Sequence, residues 1–155
     1  MAVRQAQTTQ SRHHDPVVQF SVFTENKVGR LNELIGLLGS HHVHVMALNT
    51  LDTTDSAIVR VIVDDPQRTR ELFQEHAFTY AENVLLAAEL STETDLGKVL
   101  AALLEAEINI NYLYPFIFRP KERAAVAINV EDMDISRDAL QQRGIRVLSQ
   151  SDISR

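Results

Sequence analysis

The chain has 155 residues, of which 45% are apolar, 23% charged and 6% aromatic; these are ordinary globular proportions and exclude a collagen, a coiled coil or a wholly disordered chain. Lys and Arg number 15 against 21 Asp and Glu, a formal net charge of -6, so the basic footprint of a nucleic-acid binder is missing. There is no cysteine, no apolar run near the roughly 18 residues of a membrane span, and no signal-peptide pattern in the polar opening, so disulfides and Cys-based metal sites are excluded, membrane partners are not expected, and a cytoplasmic setting is.

Residues 1–15 lack periodicity and read as a disordered lead-in. Val17 to Phe23 is a β-rich run, and Gly29 to Leu38 carries the apolar stripe of an amphipathic helix through Leu31, Leu34, Ile35 and Leu38. Two strands follow, Val43 to Leu51 and Ala57 to Val63, separated by the turn residues Asp52-Thr53-Thr54-Asp55. Pro66 suits the first position of a second helix, capped by Asp64 or Asp65 and continuing to Glu75. Phe78 to Glu82 closes this unit as a last strand, and a new first strand ends at Leu90, leaving almost no linker.

The same order then repeats. A shift of 65 residues lays Leu96, Val99, Leu100 and Leu103 on the first helix stripe, and Ile108 to Leu113 on Val43 to Leu48. After a two-residue insertion at the turn-like Phe118-Arg119-Pro120-Lys121-Glu122, Ala124 to Asp132 falls on Ala57 to Asp65. The expected architecture is therefore α+β, two tandem ferredoxin-like βαββαβ units at 16–82 and 83–155, packed side by side. Valines 59, 61 and 63 alternate with Ile58 and Ile62, so the sheets are apolar on both faces. Helices cover only one of those faces, and a homodimer is expected to bury the other.

Fold alone does not give function. RNA recognition on this frame needs stacking rings on its middle strands, where Ile58 to Val61 and Ala125 to Ile128 supply none. Tyr112, Tyr114, Phe116 and Phe118 recur at period two and read as core or interface. His41, His42 and His44 are candidate metal ligands, with His42 and His44 on one strand face, and give the alternative function of a metal-responsive sensor. A helix C-terminus favouring His accounts for the same residues without a metal, and no metal or cofactor is assigned. Asp64-Asp65 and Glu131-Asp132 are paired carboxylates, but before a helix they read as caps. With no nucleophile triad, phosphate loop or metalloprotease spacing, no catalytic residue is assigned and the chain is not expected to be an enzyme.

The remaining signal is the first strand-to-helix turn, Thr24-Glu25-Asn26-Lys27-Val28-Gly29-Arg30-Leu31. A helix N-terminus offers unpaired N–H groups to a carboxylate, Gly29 admits close backbone approach, and Asn26 both donates and accepts. This E-N-K-V-G-R-L stretch after a strand, V-H-V-x-x-L after the helix and I-N-I-N-Y-L-Y in the second copy resemble the ACT domain, a small ligand-binding module of amino-acid metabolism. The two-copy layout from Pro16 to Ser149 resembles stand-alone tandem-ACT proteins. The resemblance implies a non-catalytic amino-acid sensor that regulates a metabolic enzyme partner, with its ligand between the units. It implies a site formed by Thr24, Asn26, Val28 and Gly29 from one unit and Asn109 from the other. Val28 replaces the family's usual proline. In the pseudo-symmetric second site, Thr92 and Thr94 replace the glycine turn, with Thr94 opposite Gly29, and His44 stands where Asn109 does. That second site is expected to have decayed or changed ligand.

Overall fold

The computed structural model describes residues 15–25 and 27–154. The lead-in expected over 1–15 lies, apart from Asp15, outside the described residues, and so does Asn26. Asp15 belongs to the fold: its carbonyl accepts from Gln150 N–H at 2.9 Å, and its carboxylate from Ser151 N–H at 2.9 Å.

The first half comprises β1 (Val17–Glu25), α1 (Arg30–Ser40), β2 (Val45–Asp52), β3 (Ser56–Val63) and α2 (Pro66–Glu75). It is followed by β4 (Thr79–Leu90), which serves both halves. The second half adds α3 (Asp95–Glu105), β5 (Ile110–Pro115), a 3-10 turn (Pro120–Glu122), β6 (Ala124–Val130), α4 (Met133–Gln142), β7 (Val147–Leu148) and a short C-terminal α5 (Gln150–Ile153). The sheet runs β2-β3-β1-β4-β6-β5, with β7 also on β4.

Where two strands were expected between Phe78 and Leu90, one 12-residue strand runs through. Residues Thr79 to Leu85 of β4 pair with β1, and Leu86 to Leu90 pair with β6. The boundary drawn from sequence at residue 82 falls inside this strand. The halves thus lie side by side along a shared backbone ladder.

Alternation along the strands sorts the core into three layers. Phe20, Val22, Val59, Val61 and Val63 face α1 and α2, meeting Leu34, Leu38, Leu72 and Phe73. Leu86, Ala88, Val126 and Ile128 face α3 and α4, meeting Val99, Leu103 and Leu140. The third layer lies between the halves and joins Val17, Ala47 and Ile62 to Leu85, Tyr114, Phe116, Ala125, Ala127 and Leu148. The sheet curls until its end strands touch, at the Ala47–Phe116 bridge and where Ile117 N–H donates to Met46 C=O at 2.8 Å. Most of the second apolar face therefore packs within the chain, which corrects the reason given from sequence for a dimer. Phe23, Leu51, Ile117 and Phe118 stay exposed.

The C-terminus locks this arrangement. Ser149 and Asp152 form a reciprocal capping box on α5, and Ile153 is buried in the layer between the halves. Gln150 is buried too: its Oε1 accepts from Val18 N–H at 3.1 Å and its Nε2 donates to Val63 C=O at 3.1 Å. One side chain of the second half thus satisfies two backbone groups of the first. Gln150→Ala leaves both groups without that partner and is expected to lower stability by about 1–3 kcal/mol. Urea unfolding should show this as a lower midpoint with an unchanged slope.

Candidate functional site

The two strand-to-helix turns differ in what satisfies their backbone N–H groups. In turn one, Gly29 holds a left-handed conformation (φ 92°) at the N-terminus of α1 and has no side chain with which to cap it. Val28 is fully exposed, and Lys27 pairs with Glu25 at 2.5 Å. In turn two, Asp95 sits where turn one has Arg30 and is buried under its own loop. Its Oδ2 accepts from Ser91 N–H at 2.7 Å and Thr92 N–H at 3.1 Å, and its Oδ1 from the Thr92 hydroxyl at 3.1 Å. Thr92 and Thr94 hydroxyls bond each other at 3.1 Å. Turn two therefore satisfies the N–H groups of its own loop with its own carboxylate. Those backbone donors hold the Asp95 carboxyl below its ordinary range.

This arrangement has a pH signature. A folded pKa below the unfolded value gives stability that is present at neutral pH and lost as pH falls through the folded pKa. Asp95→Asn should therefore be less stable than the parent at about pH 7, with the gap narrowing only as pH falls below the ordinary Asp value of about 3.9, as read by urea unfolding.

The opposing residues also follow a pattern, and it corrects the reading of both acid pairs as caps. Asp65 and Asp132 do cap α2 and α4, accepting from Arg68 N–H at 3.1 Å and Ile135 N–H at 3.0 Å. The preceding acids reach elsewhere. Asp64 binds His44, accepting from its backbone N–H and meeting Nδ1, both at 2.8 Å. Glu131 accepts from the Asn109 amide at 2.9 Å. In both copies an acid takes up one polar atom of the opposing residue, Nδ1 of His44 or Nδ2 of Asn109, and leaves the other, Nε2 or Oδ1, outside that contact.

The halves form a cavity on the His44 side. It measures about 340 Å³ and is lined by His44, Met46 and Asp64 of the first half with Phe118, Arg119, Pro120, Lys121, Asp152, Ile153 and Ser154 of the second. The loop after β5 reaches across to make it. Arg119 also lines a neighbouring groove of about 710 Å³ with Leu90, Ser91, Thr92, Glu93 and Leu96. His44 and turn two thus flank one loop, while Thr94 lines neither space. Among the described residues, no hydrogen bond or ion pair joins Thr24, Val28 or Gly29 to Asn109.

The three clustered histidines do not converge. His41 ends α1 with Nδ1 at 3.0 Å from Leu37 C=O, and His42 has a left-handed backbone (φ 60°) in the turn before β2, so strand alternation does not apply to it. Among the described residues, no three His, Cys, Asp or Glu side chains are grouped to hold a metal ion. Among the described residues, no helix is long and apolar enough to cross a membrane.

The family model described as "ACT domain pair" matches residues 16–155. The chain belongs to this family. A crystal structure of protein BT0572 from Bacteroides thetaiotaomicron is similar at 28% identity, covering 90% of this chain and 96% of that one, with a TM-score of 0.79. The ligand-free regulatory subunit of aspartate kinase from Thermus thermophilus shares the fold at 15% identity, covering 83% of this ACT pair and 92% of that chain, with a TM-score of 0.57. No curated protein matches the chain at a significant level.

The Arg119 loop and the Asp64–His44 pair were the parts of this site that sequence reasoning missed. The two-residue insertion at Phe118 to Glu122 was the available signal for the loop. For the pair, the signal was the recurrence of an acid before each cap, at Asp64 and Glu131.

Proposed function

We propose that this ACT pair is a non-catalytic regulatory module that binds a free amino acid between its halves, in the cavity at His44. Membership of the family and a fold shared with a regulatory subunit support a regulatory, ligand-binding role. The cavity carries the finer reading, because its lining matches a zwitterion group by group. Arg119 makes no ion pair among the described residues and offers a fork to the α-carboxylate. His44 Nε2, backed by Asp64, accepts from the ammonium. Met46, Phe118 and Ile153 give a side chain apolar contact. A volume of about 340 Å³ lies at the lower end for small-molecule sites and suits one amino acid.

The turn-one site, with Thr24, Asn26, Val28, Gly29 and Asn109, is the second reading. It is favoured by the uncapped N-terminus of α1 and by the acceptor that Asn109 presents. At either site the ligand shifts the packing of the halves only by its difference in affinity between two arrangements, and a metabolic enzyme partner would read that shift. A homodimer through the exposed Phe23, Leu51, Ile117 and Phe118 belongs to the same proposal; light scattering should give twice the chain mass at micromolar concentration.

A thermal-shift screen of the twenty amino acids tests the binding. A ligand at 100 times its Kd adds about 2.7 kcal/mol to a folded state that alone binds it. His44→Ala and Arg119→Ala are expected to erase the response, with one ligand bound per chain by calorimetry. A response that survives both but is lost in Asn26→Ala and Asn109→Ala moves the ligand to turn one. The absence of any response overturns the amino-acid reading.

A further inference from the structure

A second polar site lies between the halves, away from His44. Arg60 stands on β3 between Val59 and Val61, which face the helices, so its side chain enters the space between the two sheet halves. Its guanidinium lies over the Tyr112 ring, 3.7 Å from the centroid, and its Nη1 donates to Asn49 Oδ1 at 3.3 Å. Its Nε is buried without a partner, and no Asp or Glu pairs with it among the described residues. A half-buried cation without a counter-charge is costly, and this one is held flat, as bidentate recognition of an oxyanion requires.

The hydroxyl of Tyr112 makes the same demand independently. It accepts from Gln19 Nε2 at 2.8 Å and from Asn129 Nδ2 at 3.2 Å, which leaves its proton to be donated. No acceptor takes that proton among the described residues. The surrounding groups are already committed: Gln19 Oε1 accepts from the Tyr114 hydroxyl at 2.5 Å, and Asn129 Oδ1 from Asn111 Nδ2 at 2.7 Å. One cationic and one neutral donor, on opposite halves of the molecule, therefore lack an acceptor on the same residue pair.

We propose that Arg60 and Tyr112 form a second binding site, one that takes a small carboxylate. None of its residues lines the His44 cavity, so it stands whatever occupies that cavity. Because Arg60 comes from the first half and Tyr112 from the second, an anion bound there ties β3 to β5 and stabilises the curled sheet.

Titration of the full chain with sodium acetate and sodium succinate, against sodium chloride at matched ionic strength, tests this by calorimetry and thermal shift. Saturable binding of a carboxylate beyond the chloride effect is expected. Tyr112→Phe keeps the ring under Arg60 and removes one hydrogen bond, so affinity should fall about fivefold. Arg60→Met should abolish binding while holding or raising the ligand-free melting temperature, since an unpaired charge is gone. Arg60→Lys, which keeps the charge but loses the fork, should weaken binding about tenfold or more. His44→Ala should leave it unchanged. The proposal is overturned if no carboxylate saturates beyond chloride, or if Arg60→Met or Arg60→Lys binds as the parent does.

Discussion

The hydrogen-bond ladder of β4 is the constraint on which the molecule depends. A strand's backbone groups must be paired wherever they are buried, and β4 meets that demand with different partners along its length. Towards its N-terminal end it pairs with β1; beyond Leu85 it is held by β6, with β7 following β1 along its other side. Leu85 and Leu86 point to opposite faces, one into the layer between the halves and the other onto α3 and α4. The register of either half therefore fixes the register of the other. Gln150 reinforces this where the ladder of β1 ends, by taking up the N–H of Val18.

Much of the fold was legible because its signals are local. Amphipathic spacing repeats along each helix, and a constant offset between two copies survives without any knowledge of contacts. The continuity of β4 was harder to see, since Tyr80-Ala81-Glu82-Asn83 has polar residues that suit a turn or an exposed strand equally well. Only the pairing of these residues with β1 decides between the two. Gln150 is similarly opaque: a glutamine near a chain end reads as surface until its two partners, Val18 and Val63, are known to lie beside it.

The candidate site divides along the same line. Turn one, turn two and the positions of His44 and Asn109 stand out in the sequence because each lies at a matched place in two copies. What the sequence concealed was chemistry that needs three dimensions. Asp95 reads as an ordinary first-turn acid, yet its carboxylate occupies the donors of its own loop. Asp64 reads as a cap, yet it reaches 20 residues back along the chain to orient an imidazole. Arg60 reads as one charge in an apolar strand, and only the curl of the sheet brings Tyr112 beneath it. The two copies match in pattern and differ in which one satisfies the N–H groups of its strand-to-helix turn with an internal carboxylate.

The shared strand also bears on how the molecule can be taken apart. In many tandem proteins a linker can be cut and each piece recovered as an autonomous folding unit. Here a cleavage in β4 on the N-terminal side of Leu85 would shorten the fourth strand of the first fragment, and one beyond Leu86 would shorten the first strand of the second, exposing part of a sheet margin. Only the Leu85–Leu86 junction divides the paired segments cleanly, and a fragment cut elsewhere in β4 would be prone to seek the lost residues in a neighbour, by exchange between molecules.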